Sequence, residues 1–176
     1  MDTTATVLQS LQTRRSVRSY LPKQVEEAAL EAVLTAGTWA PTGMNKQAPV
    51  IVAVQDAATV AKLSALNAAV MGSDKDPFYG APTVLVVLAD PAVRTWVEDG
   101  SLVMGNLMNA AHAVGLASCW SHRAREVFDS DEGKELLKQW GLPDTLRGVG
   151  NCILGYADGP LPDARPRKEG YIVRVK

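Results

Sequence analysis

Arg14, Arg15, Ser16 and Arg18 place three guanidinium groups and a hydroxyl within five residues. Guanidinium forks make charge-assisted, often bidentate bonds to phosphate oxygens, so this run has the chemistry to hold a phosphate monoester dianion. A basic loop is equally a solvated surface patch unless other segments converge on it. The usual Gly-rich alternatives are missing: the sequence contains no GxGxxG after an expected strand and no GxxxxGK(S/T). No Ser-His-Asp arrangement is evident. His112 stands among Ala110, Ala111, Ala113 and Val114 inside an expected helix, which suits a packed, hydrogen-bonded histidine. Cys119 and Cys152 lack a CxxC or His partner spacing, so they read as small buried hydrophobes and not as metal ligands or a redox pair.

The elements that must position these groups follow from the apolar pattern. Val7, Leu8 and Leu11 recur at helical spacing after Thr3 and Thr4, which can cap, so a short helix should end near Thr13, just before the basic run. Ala29, Leu30, Val33 and Leu34 predict a second helix closed by Gly37. The stretch from Trp39 to Gln47 is a loop by its Pro, Gly and Asn, and it empties into Val50–Val54, a buried strand. A helix from Asp56 to about Met71 and a second buried strand, Thr83 to Ala89, come next. A helix from about Trp96 to Val114 is apolar on much of its circumference, which suits a core or, as favoured here, a subunit interface. Leu116 to Trp120 reads as a strand, Asp131 to Trp140 as a helix, and Val149 to Tyr156 as a strand that Gly150 and Gly155 interrupt. Pro160, Pro162 and Pro166 should carry the chain over a surface to a final edge strand at 171–175. Taken alone, the alternation of helices and strands suggests a doubly wound nucleotide-binding fold.

The chain of 176 residues fits one domain, 1–176, and leaves no room for a second. An apolar share of 47% against 21% charged is that of an ordinary globular protein. A formal charge of -1 argues against nucleic acid as a partner, and no apolar run reaches the roughly 18 to 20 residues of a membrane span. Arg14, Arg15 and Arg18 follow a short polar start, the wrong order for a secretory signal, so a cytoplasmic location is expected.

RRSVRSY, then APTGMNKQAP near residue 40, then GNLMNAAHAVGLASCW, then a late RPRK resemble the nitroreductase family, in the family's own order and over almost the whole chain. The resemblance implies an α+β fold, with a mainly antiparallel sheet between helices in place of the doubly wound one. It also implies an interlocked homodimer whose C-terminal strand reaches the partner, with FMN at the interface. Carried over by position, Arg14, Ser16 and Arg18 match contacts to the flavin's ribityl phosphate and pyrimidine edge, with Arg15 contributing mainly backbone. Pro41, Thr42, Gly43, Asn45 and Gln47 match the loop that reaches the flavin of the other subunit, where small residues allow close approach and Asn offers amide bonds. Asn67 matches an Asn at the flavin's carbonyl edge. Trp120, Ser121 and His122 fall where a strand end meets the flavin, although core packing is an equal reading of Trp120. Arg167 and Lys168 match a late basic pair that closes the phosphate site, or else belong to a solvated tail.

The activity so implied is a two-step exchange in which NADH or NADPH gives hydride to flavin N5 and a small-molecule acceptor then takes the electrons. Nitroaromatics, quinones, free flavins and enones all suit such a donor, and no protein side chain is expected to be catalytic. His122 with Arg123 and Arg125 forms a cluster suited to an anionic acceptor or the nicotinamide cofactor's phosphates, or simply a solvent-facing loop. Longer family members carry inserted helices over the site, for which this chain has little room, so an open pocket is expected. Two other readings belong to different classes: an FMN carrier or sensor without turnover, and a dimeric scaffold without cofactor.

Overall fold

The β-branched runs Val50–Val54 (β1) and Thr83–Ala89 (β2) pair antiparallel, Val50 opposite Leu88 and Val54 opposite Val84. The computed structural model describes residues 3–176, and only the backbone of residues 3–5, so the capping expected of the Thr3 and Thr4 side chains lies outside the described residues. The helices are α1 (Thr3–Thr13), α2 (Glu27–Thr38), α3 (Ala57–Met71), α4 (Trp96–Ala113), α5 (Ala124–Asp129) and α6 (Asp131–Gln139). Two further strands, β3 (Ala117–Ser121) and β4 (Arg147–Gly155), complete a sheet of order β1-β2-β4-β3 in which every pairing is antiparallel. The doubly wound parallel sheet suggested by element order alone is therefore not formed. The α+β architecture implied by the resemblance is.

Alternation along the central strands builds two cores, because successive side chains leave opposite faces of a strand. Val84, Val86, Leu88 and Ile153 meet Leu63 of α3, Phe128 of α5 and Leu137 of α6. Leu85, Val87, Cys152 and Leu154 meet Leu30 and Val33 of α2 and Val103, Met104, Leu107 and Ala111 of α4. Asp56 caps α3 by accepting from the Thr59 amide at 2.8 Å, and Gly72 ends it in the left-handed conformation, φ 64°.

Sequence periodicity misses α5, whose six residues are too few to show a period, and it begins β4 two residues late, at Val149 instead of Arg147. A bulge explains the second difference. Val87 pairs with Gly150 but Leu88 with Gly148, so Val149 is an extra residue turned toward α4, beside Gly100. The segment 171–175 alternates like an edge strand but pairs with no strand of its own chain, and Tyr171, Ile172, Val173 and Val175 are exposed. No described helix is long and apolar enough to cross a membrane.

Candidate functional site

The segment after α1 is pinned to the sheet edge by its apolar and backbone groups, which leaves its cationic side chains free to converge. The Arg14 amide still donates to Ser10 O, Ser16 bridges in parallel to Ser118 of β3, and the Val17 amide donates to Ser118 O at 3.1 Å. Val17 and Tyr20 are buried, and the Tyr20 hydroxyl donates to Val17 O at 2.9 Å, its pKa raised chiefly by burial.

Beside this anchored turn lies a cavity of about 560 Å³ lined by Leu11, Gln12, Arg14, Arg15, Ser16, Ala164, Arg165 and Arg167. Four arginines face it and none of its lining residues is a carboxylate. Arg15 Nη1 donates to the carbonyls of Gln12 and Arg14, each at 2.8 Å, and Arg167 Nη2 donates to Arg165 O at 2.6 Å. Arg14 Nη1 is buried with no partner. A buried guanidinium N–H without an acceptor is costly unless a ligand supplies one, so the site has the charge and donor set of an anion cradle. Arg14, Arg15, Ser16 and Arg167, proposed from sequence, are thus brought together across almost the whole chain. Arg18 is exposed outside the lining, and Lys168 Nζ lies 5.5 Å from the Tyr171 ring centroid instead. Arg165 was missed. Its signal is the extended Pro-rich run, in which residues two apart face the same way.

The loop after α2 is held in a strained form. Met44, Asn45 and Gln47 have φ of 53°, 54° and 49°, a left-handed region that costs non-glycine residues energy and persists only where the surroundings enforce it. The enforcing contacts are visible. The Gly43 amide donates to Asp99 Oδ1 at 2.9 Å, Thr95 Oγ1 donates to Asp99 Oδ2 at 3.0 Å, and a Cβ on Gly43 would collide with Thr95. The Gln47 amide donates to Thr42 Oγ1 at 3.1 Å, and Gln47 Nε2 to Asn45 Oδ1 at 3.2 Å. Asp99, buried at the start of α4, is a second residue that sequence reading missed, since an acidic residue in a helix's first turn looks like dipole compensation. Thr42 and Gln47 line a separate, largely apolar cavity of about 320 Å³ with Leu34, Ile51 and Val103, and no residue from Pro41 to Gln47 lines the arginine cavity.

Asn67 is fully buried: Nδ2 donates to Leu63 O at 2.8 Å and Oδ1 accepts from Asn151 Nδ2 at 3.1 Å. Asn151 also approaches Ser121 O at 3.4 Å, so it joins two residues proposed separately from sequence, while its own Oδ1 has no partner. Trp120 packs over Gly150, where a Cβ would come within 2.6 Å of the indole Nε1, and that Nε1 is buried without a partner. Trp120 thus packs against the α2–α4 core from the C-terminal part of β3. His122 is exposed, and Arg123 follows it in the left-handed region at φ 78°. Arg125 Cζ and Arg147 Cζ stand 5.0 and 5.6 Å from the Trp96 ring centroid. Arg125 is thereby drawn toward α4. Arg147 also forms a bidentate pair with Asp129, whose carboxyl is held below the usual range by that hydrogen bond.

Residues 11–156 match the Nitroreductase family. A nitroreductase of Bacteroides fragilis, solved with bound FMN, superposes with a TM-score of 0.89 over 97% of this chain and 98% of its own, at 30% identity. An FMN-dependent nitroreductase of Clostridium difficile superposes with a TM-score of 0.86 over 96% of this chain and 98% of its own, at 25% identity. A relative in Archaeoglobus fulgidus, 29% identical over 85% of this chain and 84% of its own, is provisionally named an NADH dehydrogenase/NAD(P)H nitroreductase. With the antiparallel sheet, the arginine cavity and the constrained loop in place, the chain belongs to the nitroreductase family.

Proposed function

We propose that the protein is an FMN-dependent oxidoreductase that takes reducing equivalents from NADH or NADPH and delivers them to a small-molecule acceptor such as a nitroaromatic or a quinone. The arginine cavity carries this reading: it has no carboxylate in its lining, and it contains a buried Arg14 Nη1 with no acceptor. The FMN found in the Bacteroides fragilis structure ends in a phosphate monoester of matching charge, and the archaeal relative's name supplies the donor.

When bound, FMN supplies at N5 a centre that takes up hydride and releases electrons again. The chain's own residues bind and orient. Arg14, Arg15, Ser16, Arg165 and Arg167 hold the phosphate, Lys168 adds positive charge next to Arg167 in the chain, and Arg18 serves the pyrimidine edge. Trp120, Ser121 and His122 present backbone groups to the ring, with Asn67 acting through Asn151 and the Ser121 carbonyl. No side chain acts as general acid or base. The exchange is ping-pong, the oxidised nicotinamide leaving before the acceptor enters.

A homodimer completes the site, with Pro41, Thr42, Gly43, Asn45 and Gln47 of one protomer reaching the ring held by its partner. Supporting this, Val7, Leu8 and Leu11 of α1 and Leu102 of α4 are exposed, Met44 is 85% exposed and Val175 94%. These side chains are the apolar surface that such a dimer would cover. The tail at 171–175 extends to the partner as a strand. The chain works as a single unit over 1–176, in the cytoplasm.

Purified protein should be yellow, or become so with FMN. Without oxygen, NADH or NADPH should bleach the flavin band and a nitroaromatic or quinone should restore it. A yellow protein that NAD(P)H reduces only very slowly would instead be an FMN carrier or sensor. Failure to take up FMN would leave only the fold and overturn the proposal.

A further inference from the structure

His112 touches the residue that directly precedes the arginine cluster. It lies in the last turn of α4, half-buried, with Nε2 2.8 Å from Thr13 Oγ1, the last residue of α1. The Thr13 hydroxyl also bonds Gln9 O at 2.8 Å. A hydroxyl has one hydrogen and a carbonyl can only accept, so that hydrogen goes to Gln9. His112 Nε2 must then carry the hydrogen of its bond to Thr13. This fixes the neutral tautomer and leaves Nδ1 as the atom that takes up a further proton.

The charged groups acting on this imidazole are the Arg14 and Arg15 guanidiniums, which follow Thr13 directly and line the cavity. Together with burial, the larger cause, they hold the imidazole below its usual range, so it is neutral near pH 7. From β4, the Cys152 thiol lies close to Arg14, but burial pushes its pKa up to about 12, so it contributes no charge. A dianion in the cavity would offset the two guanidiniums and make a charged imidazole favourable.

Resting on the phosphate-site reading above, we propose that His112 is a positioning residue: through Thr13 it anchors the helix end from which Arg14 and Arg15 project, and its Nδ1 takes a proton from solvent when the cofactor's phosphate enters. By linkage, phosphate binding then tightens as pH falls through the titration of His112 in the complex. The window lies above pH ~6, where the phosphate itself begins to protonate.

The chain has two histidines, His112 and His122, so its imidazole NMR spectrum is assignable with one variant, His112→Gln. The wild-type resonances are titrated with pH in protein alone, with FMN and with riboflavin, which has the ring but no phosphate. The His112 midpoint should rise by about one pH unit with FMN and stay put with riboflavin. FMN should correspondingly bind up to roughly tenfold tighter at pH 6.5 than at pH 8.5, a dependence missing from His112→Gln. Thr13→Val keeps the imidazole but cuts the link, and should weaken FMN severalfold at every pH. An unchanged His112 titration with FMN visibly bound would overturn the inference and leave the proposed function standing. An equal shift with riboflavin would overturn it too, by tracing the effect to the ring. Unchanged affinity in Thr13→Val would remove the anchoring role. Failure to bind FMN at all would overturn the proposed function and this inference with it.

Discussion

Asn151 on β4 donates its side-chain amide to Asn67 Oδ1 on α3 at 3.1 Å, both residues being fully buried. Asn67 Nδ2 is committed to Leu63 O, so neither amide can be turned round without breaking a bond. Asn151→Ala leaves Asn67 Oδ1 buried and unpaired and should destabilise the fold by about 1–3 kcal/mol. The midpoint of urea unfolding measures this, and an unshifted midpoint would show that water replaces the lost amide.

Arg14→Ala removes the guanidinium whose buried Nη1 has no acceptor among the described residues. A hydrogen bond to a charged group contributes about 1.5–3 kcal/mol, so FMN should bind roughly 10- to 100-fold more weakly while riboflavin affinity stays unchanged. Titrations followed by flavin fluorescence separate the two. An equal loss for both ligands would move Arg14 away from the phosphate.

Gly150→Ala places a Cβ 2.6 Å from Trp120 Nε1, closer than atoms pack. The indole must shift, at a cost of about 1–3 kcal/mol. Tryptophan emission and thermal unfolding report this together. Trp120→Leu in the same chain should recover part of the loss, since the two positions are in contact.

The Asp129 carboxyl is held below its usual range first by its hydrogen bond from Arg147. A depressed carboxylate contributes stability that is fully present above its unfolded pKa of about 3.9 and is lost as pH falls through the lower folded value. The side chains are 35% and 36% exposed, so solvent screening limits the contribution to less than about 1 kcal/mol. Wild type and Asp129→Asn should therefore differ slightly in unfolding midpoint at pH 7 and converge near pH 3. A difference that persists at pH 3 would assign the effect to packing.

Removing residues 171–176 takes away exposed apolar side chains of a segment that joins no described strand. Sedimentation of the shortened protein should show a weaker dimer, while its circular dichroism stays close to that of the full chain. Unchanged self-association would take the tail out of the interface.

Much of this architecture was legible because it rests on local rules. Val84, Val86 and Leu88 face one core and Leu85, Val87 and Ala89 the other, as a strand buried on both faces requires. The start of α3 at Asp56, which caps it, read directly from residue type. Strand direction did not, because connections long enough to hold a helix serve parallel and antiparallel neighbours alike. The arginine cluster was visible at Arg14 to Ser16, but Asp99 and Asn151 were not. Their partners, the Gly43 amide and Asn67, are far away in sequence and become neighbours only through tertiary packing. Arg165, which was not proposed, lines the cavity with Arg167 while Lys168 does not, since residues two apart in an extended chain face the same way.

The arginine cavity joins residues 14–16 to residues 165–167, with nearly the whole sequence between them. On a ribosome the first half of this cradle emerges early and waits for the second through the synthesis of every strand and of helices α2 to α6. If this cradle holds FMN as proposed, a chain arrested before β4 should therefore remain colourless however much cofactor surrounds it.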